Sequence, residues 1–475
     1  MATLKNLLTQ EAKLVSQQAA LSSQQQALEH SLTAVRLRIA QMRNMHAATY
    51  NLPNETLCAI FEAGRSNTSC PTPREEAFLD RSTQPLPIPF EIIVSAVSRR
   101  WRNVALQTPR LWTDIYINFK RPMQGLHDLY LSRSKSCLLD ITLVPFARDK
   151  EFDITHTRDV GIMFEQYMAL LIPHVVRWRK LAIHKAFVGE ESAPYSVLAH
   201  LYAPALETLV AEIHSQPRLA MDVFSGGASR LSSVELTGVY FRPPQSAVKN
   251  LNLYYTLVGS LLSYNQFSQL IRPMSSLTHI TMDLNISTDA NHPSIELPSL
   301  ISLDYRLSDG SVGVLRFLDC PAVEELTFHG YSHRVIGAVV HHGRLYPTVL
   351  SLTMASDDHA DRDSRLATAF MSLLPNIQGV TFRGTGTTSI LYSLQHRKST
   401  GELLWPHLSD ITVTPARNAT IQAKKNIWDN IVEVVESRIQ LGTPISRITL
   451  SSQIIDRISN KQQRLLREQV TLIQC

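Results

Sequence analysis

The sequence predicts an α+β chain whose larger part is an α/β solenoid. In order it reads as a long N-terminal helix, a small helical module, an irregular stack of repeats on a parallel sheet, and a C-terminal capping helix. Three observations predict this. A stretch from Leu4 to about Ala48 has neither Pro nor Gly and is rich in Ala, Gln and Leu. Between Asn51 and Ile117, short amphipathic stretches carry more apolar side chains than so small a module can bury. From Leu138 to Leu450, a short apolar pattern keeps returning.

The first helix, residues 1–48, carries Leu7, Leu14, Leu21, Leu28, Val35 and Met42 at a strict interval of seven. That is half of a coiled-coil seam. The other half is poorer: Glu11, Gln18 and Gln25 precede Leu32 and Ile39. Self-association through this helix is one expectation. A helix that folds onto its own module or stands in solvent is the other.

The module spans residues 49–119. NLPNETLCAIFEAG places Leu52, Leu57, Ile60 and Phe61 on one helical face, entered through Pro53. PFEIIVSAVSRRWRNVALQTPRLWTDIYI repeats the pattern with Ile92, Ile93, Ala96, Val97, Trp101, Val104 and Ala105. Thr108-Pro109 breaks that helix and Leu111-Trp112 returns to apolar contact. About three short helices are expected. Residues 63–89, with Pro71, Pro73, Pro85, Pro87 and Pro89, read as an inserted loop.

These residues carry a resemblance. LPxExLxxIFE followed by VSRxWRxVALxTPxLW resembles the F-box of fungal F-box proteins, particularly the F-box-like proteins of mushroom-forming fungi. It covers Leu52 to Trp112. The resemblance implies docking onto the Skp1 adaptor and, through it, a cullin. The matching positions are Leu52, Pro53, Leu57, Ile60, Phe61, Val97, Ser98, Trp101, Leu106, Leu111 and Trp112. The inserted loop departs from the compact family pattern.

Beyond Trp112 the texture changes. Ile115, Ile117 and Phe119 alternate as in a strand, and a helix is expected near Met123 to Ser134. Then LxxLxL-like units begin at Leu138, Trp178, Leu206, Leu231, Val248, Leu277, Leu300, Val323, Val349, Ile377, Leu408 and Ile445. Pro204, Pro298, Pro321, Pro347, Pro375 and Pro406 stand two residues before six of them. The pattern is the core of a leucine-rich repeat with an irregular period and without the usual following Asn. One such unit cannot cover its own apolar face, whereas stacked units bury a continuous core. Residues 120–475 are therefore read as a leucine-rich-repeat-like solenoid; the competing reading is an ordinary α/β domain. Helices are expected over Asp159–Leu171, Ser364–Leu374 and Asn426–Arg438, and Ser452–Cys475 reads as a terminal capping helix.

Composition frames the function. With 44% hydrophobic and 18% charged residues, the 475-residue chain is of globular type. A formal charge of +5, small for this length, points only weakly to nucleic acid, and no dense basic block supports it, so no nucleic-acid partner is expected. Cys58, Cys70, Cys137, Cys320 and Cys475 are odd in number and scattered, which suits reduced thiols rather than disulfides or zinc. No secretory signal and no membrane-spanning run is apparent, so a cytoplasmic or nuclear location is expected.

No P-loop, GxGxxG, HExxH or GxSxG is present, so no catalytic, cofactor-binding or metal residue is assigned. His329, His333, His341 and His342 read as surface or core histidines, the acidic run Asp357 to Asp363 as a solvated loop, and Gly384-Thr385-Gly386 as a turn. The polar strand positions Glu235, His279, Thr281, Asp304, Thr327, Thr353, Thr381 and Thr412 form the expected outward face for a protein cargo. The resemblance and the repeats together imply a non-enzymatic substrate-recognition subunit of a Skp1–cullin–F-box ubiquitin ligase, with an unknown protein substrate. The alternative is an interaction scaffold outside any ligase.

Overall fold

A computed structural model describes residues 2–46, 48–67, 88–119, 125–144, 155–187, 193–214, 221–238, 241–254, 262–284, 286–287, 292–306, 314–330, 336–337, 339–341, 343–356, 364–384, 388–395, 403–415, 419–455 and 460–474. The chain divides into two compact units. One comprises Met1–Ser69 with Leu86–Leu111, and the other contains Trp112–Cys475.

The first unit is helical. Helix α1 runs Ala2–Met45, followed by the 3-10 turn Ala48–Asn51, α2 (Asn54–Asn67), α3 (Phe90–Val97) and α4 (Arg99–Gln107). Helix α2 continues four residues past Ala63, so the expected loop cannot begin there; residues 68–87 lie outside the described residues. The stripe from Ile92 to Ala105 is not one helix. Ser98 adopts an extended conformation (φ −155°, ψ 166°), and its hydroxyl accepts from the Trp101 N–H at 3.1 Å. This N-cap satisfies one of the donors that a helix start leaves open.

The second unit is α+β, with fourteen parallel strands in one sheet and no closed barrel. The strands are Asp114–Asn118, Leu139–Val144, Trp178–Phe187, Thr208–His214, Ser233–Thr237, Asn250–Tyr254, His279–Asp283, Ser302–Arg306, Glu325–His329, Ser351–Ser356, Gly379–Gly384, Asp410–Thr414, Arg447–Leu450 and Thr471–Gln474. They lie side by side in chain order. Each of the twelve recurring motifs coincides with one strand. The sheet opens with Asp114–Asn118, the strand expected from Ile115, Ile117 and Phe119, which therefore lies beyond the helices of the module whose expected bounds reach residue 119.

Register explains the motif. Ile141, Leu181, Leu209, Val234, Leu251, Ile280, Leu303, Leu326, Leu352, Val380, Ile411 and Ile448 pair Cα to Cα along one row. All are buried. Alternation along each strand puts the motif's third apolar residue on the same inner side. Its first residue lies in a turn before the strand. Leu206, Leu300, Val323 and Leu408 each donate to the carbonyl three residues back: Ala203, Leu297, Cys320 and Trp405. Pro204, Pro298, Pro321 and Pro406 hold the second position of those turns, where a fixed φ near −65° pre-forms them.

A second bond set ties neighbours together. The carbonyls of Lys249, Thr278, Ile301, Glu324, Leu350, Gln378 and Ser409 each accept two consecutive N–H groups from the next unit, at 2.8 to 3.1 Å. This repeated fork satisfies turn backbone without the asparagine of a regular array.

Helices Leu126–Arg133, Thr155–Leu171, Ser364–Ser372 and Ile421–Gln440 match the expected ones, apart from their ends. Tyr264–Ile271, capped by Ser263 and Gln266 in a reciprocal box, was not expected.

The C-terminal expectation is corrected. Ser452–Cys475 is not one helix but Ser452–Ile455, Asn460–Gln469 and the strand Thr471–Gln474, which pairs with Arg447–Leu450. Strand Arg447–Leu450 would otherwise end the sheet with unpaired backbone groups, and the β-branched Thr471 and Ile473 accept an extended conformation readily. Ile458 lies outside the described residues.

Candidate functional site

The helical module has its own core. Leu57 and Phe61 on α2, Val94 on α3, and Val104 and Ala105 on α4 are at most 4% exposed. The Phe61 and Trp101 rings lie 5.0 Å apart, tilted by 57°. The Thr108 hydroxyl donates to the Val104 carbonyl at 2.8 Å, which leaves it to accept from the Cys58 thiol at 3.1 Å. Gly64 lets α2 approach α3: a Cβ there would sit 2.6 Å from the Phe90 ring.

Arg100, in the Ser98-Arg99-Arg100 stretch, has a structural role within the module. Its guanidinium donates to Asn54 Oδ1 at 3.0 and 3.2 Å and to the carbonyls of Tyr50 and Leu52. It therefore fixes the turn that leads into α2. Alternation of charged and apolar residues gives no sign of this, because the partners are backbone carbonyls about fifty positions upstream.

The resemblance-derived positions separate into three groups. Leu57, Phe61, Leu111 and Trp112 are buried at 1% exposure or less. They support the fold and are covered in the free chain. Leu52, Ser98, Trp101 and Leu106 are half-buried. Pro53, Ile60 and Val97 are exposed.

Helix α3 turns differently from the expected stripe. Glu91 and Val94 face inward, whereas Ile93 and Val97 are 49% and 53% exposed. With Ile60 at 46% and Ile88 at 64%, four large aliphatic side chains remain uncovered on a module whose core is filled without them. The arrangement fits apolar docking.

The sheet offers a second surface. Glu235, Thr281, Asp304, Thr327, Thr353, Thr381 and Thr412 fall in one register row, with Asn252 between Glu235 and Thr281. Thr449 continues it, so five neighbouring strands present threonine. His279 stands two residues from Thr281 in a parallel row, paired with Ser302. At one point the row is charged. Asp304 meets the His329 ring nitrogen at 3.2 Å, and the Arg306 guanidinium lies 5.6 Å from the Tyr254 ring centre. Burial raises the Tyr254 phenol above its ordinary pKa; Arg306 opposes this, while Glu235, Asp304 and Asp283 reinforce it. The face thus offers donors and acceptors of both signs, suited to polar side chains of a partner.

Of the remaining histidines, His341 is exposed, and His333 and His342 lie outside the described residues, as does the Asp357–Asp363 run. Gly384 ends a strand with φ +99°, and Thr385 and Gly386 lie outside the described residues. Among the described residues, no group of three or more His, Cys, Asp or Glu side chains is placed to hold a metal ion. Nor is any helix among them long and apolar enough to cross a membrane.

A scan against protein-family models finds no match, and a search of curated proteins finds none either.

Proposed function

We propose that this chain is the substrate-recognition subunit of a Skp1–cullin–F-box ubiquitin ligase. The helical module acts as the F-box and docks on Skp1. The leucine-rich-repeat-like array holds a protein substrate, and ubiquitin transfer is carried out by other subunits. One observation carries the reading: Ile60, Ile93 and Val97 stay exposed beside a core already closed by Leu57, Phe61, Val94, Val104 and Ala105. Uncovered aliphatic side chains on a small folded module favour a partner that covers them.

In this reading Ile60 and Val97 contact the adaptor, with Pro53, Leu52, Trp101 and Leu106 at its margin. Phe61 and Leu57 shape the surface from below. The threonine row and the Asp304–His329 pair belong to the cargo face.

The test uses the full chain. Purified Skp1 is expected to co-elute with it, and Ile60→Asp with Val97→Asp is expected to abolish co-elution without lowering the unfolding midpoint. Co-elution that survives the double substitution would overturn the docking assignment. Capture of Skp1 without cullin would favour a scaffold outside the ligase.

A further inference from the structure

Every described side chain of α1 is exposed, including Leu7, Leu14, Leu21 and Leu28 at 62%, 58%, 65% and 70%. The helix is 44 residues long, so it extends about 66 Å at 1.5 Å per residue. A strict seven-residue spacing drifts about 20° per heptad around a straight helix. Such a seam cannot stay against a flat protein surface along its length. It stays covered only against another helix that supercoils with the same period.

We propose that α1 is the interface of an antiparallel homodimer in which residue i faces residue 46 − i of the second copy. This assignment is independent of the adaptor-docking proposal. The register uses nearly the whole helix, and the seam residues select it. Leu4 then meets Met42, Leu7 meets Ile39, and Leu14 meets Leu32. Glu11 meets Val35, Gln18 meets Leu28, and Leu21 meets Gln25. Every layer thereby contains at least one aliphatic or Met side chain.

A parallel pair would do the opposite. Glu11 would face Glu11, Gln18 would face Gln18, and Gln25 would face Gln25. The first of these layers buries like charges. One local charge contact agrees. Glu11 lies in the first half of the helix with Lys5 and Lys13, while Glu29, Arg36, Arg38 and Arg43 lie in its second half. Parallel chains bring the arginines together; antiparallel chains set Arg36 and Arg38 of one copy within a helical turn of Glu11 of the other. The shallow groove bounded by Leu7, Gln10, Glu11 and Leu14 is the hole into which the second copy's Val35 would insert. The two helical modules, attached after Met45, would then sit at opposite ends of the rod.

The experiment is sedimentation of the full chain at tens of micromolar, with the 53.4 kDa monomer mass as reference. A mass twice that is expected, returning to the monomer value for Leu21→Asp with Leu28→Asp. Orientation is read by oxidative crosslinking, since a disulfide needs Cβ atoms about 3.5–4.5 Å apart. Leu7→Cys chains mixed with Ile39→Cys chains should crosslink to each other, whereas Leu7→Cys alone should not crosslink at residue 7. Glu11→Arg should weaken the dimer about tenfold, a typical scale for one seam charge pair, and Arg36→Glu with Arg38→Glu in the same chain should restore it. A monomer at these concentrations, self-crosslinking at residue 7, or an unchanged constant for Glu11→Arg would each overturn the proposal.

Discussion

The Phe61 ring packs 5.0 Å from the Trp101 ring, yet the two differ in exposure. Phe61 is 1% exposed and Trp101 is half-buried. Phe61 is therefore a core residue that packs beneath the half-buried Trp101. Phe61→Ala should lower the stability of the helical unit by about 3–5 kcal/mol, the usual range for a buried Phe truncation. Ile60→Ala should change it by less than about 0.5 kcal/mol, as expected for an exposed position. Amide exchange over α2, α3 and α4 measures both. Equal losses for the two would refute the division.

Gly64→Ala is expected to reverse the sign usual for a helical glycine. Alanine ordinarily gains up to about 1 kcal/mol over glycine inside a helix. Here the added Cβ would lie 2.6 Å from the Phe90 ring. Overpacking of this kind costs about 1–3 kcal/mol. Gly64→Ala with Phe90→Leu should recover part of the loss, and chemical denaturation of both variants decides it.

Arg438 is wholly buried, and burial pulls its pKa down to about 10. Its guanidinium donates to the Trp405 carbonyl at 3.0 Å and to the Leu404 carbonyl. Trp405, with φ +52°, in turn donates its indole N–H to the Met371 carbonyl at 3.1 Å. Arg438→Ala removes the donors to both carbonyls, at about 1–3 kcal/mol for each buried group left unsatisfied. The expected result is a lower denaturant midpoint and loss of Trp405 burial. An unchanged midpoint would mean that water replaces the guanidinium.

His127 is 6% exposed, and its Nε2 lies 3.3 Å from the Tyr116 carbonyl. Burial lowers its pKa below the ordinary 6.5, against smaller raising effects of that hydrogen bond and of Asp128. The unfolded chain therefore binds a proton that the folded chain refuses. Stability should be full above pH 6.5 and fall as pH drops from 6.5 toward the folded-state value. His127→Gln keeps a donor and removes the titration, so its pH dependence should be shallower. An unchanged slope in that variant would count against His127 as its source.

The repeats were legible because alternation along a strand and a prolyl turn before it both leave marks in sequence. Each motif start read from Leu138 to Ile445 lies at or just before a strand. The first strand was legible as well: Ile115 and Ile117 alternate, and Pro109 holds the second place of a turn in which Leu111 donates to the Thr108 carbonyl at 3.1 Å. The last strand was not: Thr471–Gln474 continues an apolar spacing that also suits a helix, and it is a strand because Arg447–Leu450 offers it backbone partners. Arg100 and Arg438 were illegible for a shared reason: a side chain that bonds distant carbonyls leaves no mark near its own position.

By itself, the sequence determined that the chain stacks many short strands and that its first helix repeats every seven residues. Both are local periodicities, and backbone geometry reads them locally. Only the tertiary structure decided that Phe61 lies inside while Ile60, Ile93 and Val97 lie outside. Helical spacing places apolar residues on a face without saying whether that face meets its own chain or another. The angle at which α2, α3 and α4 pack resolves it, and that angle arises from side chains far apart in sequence.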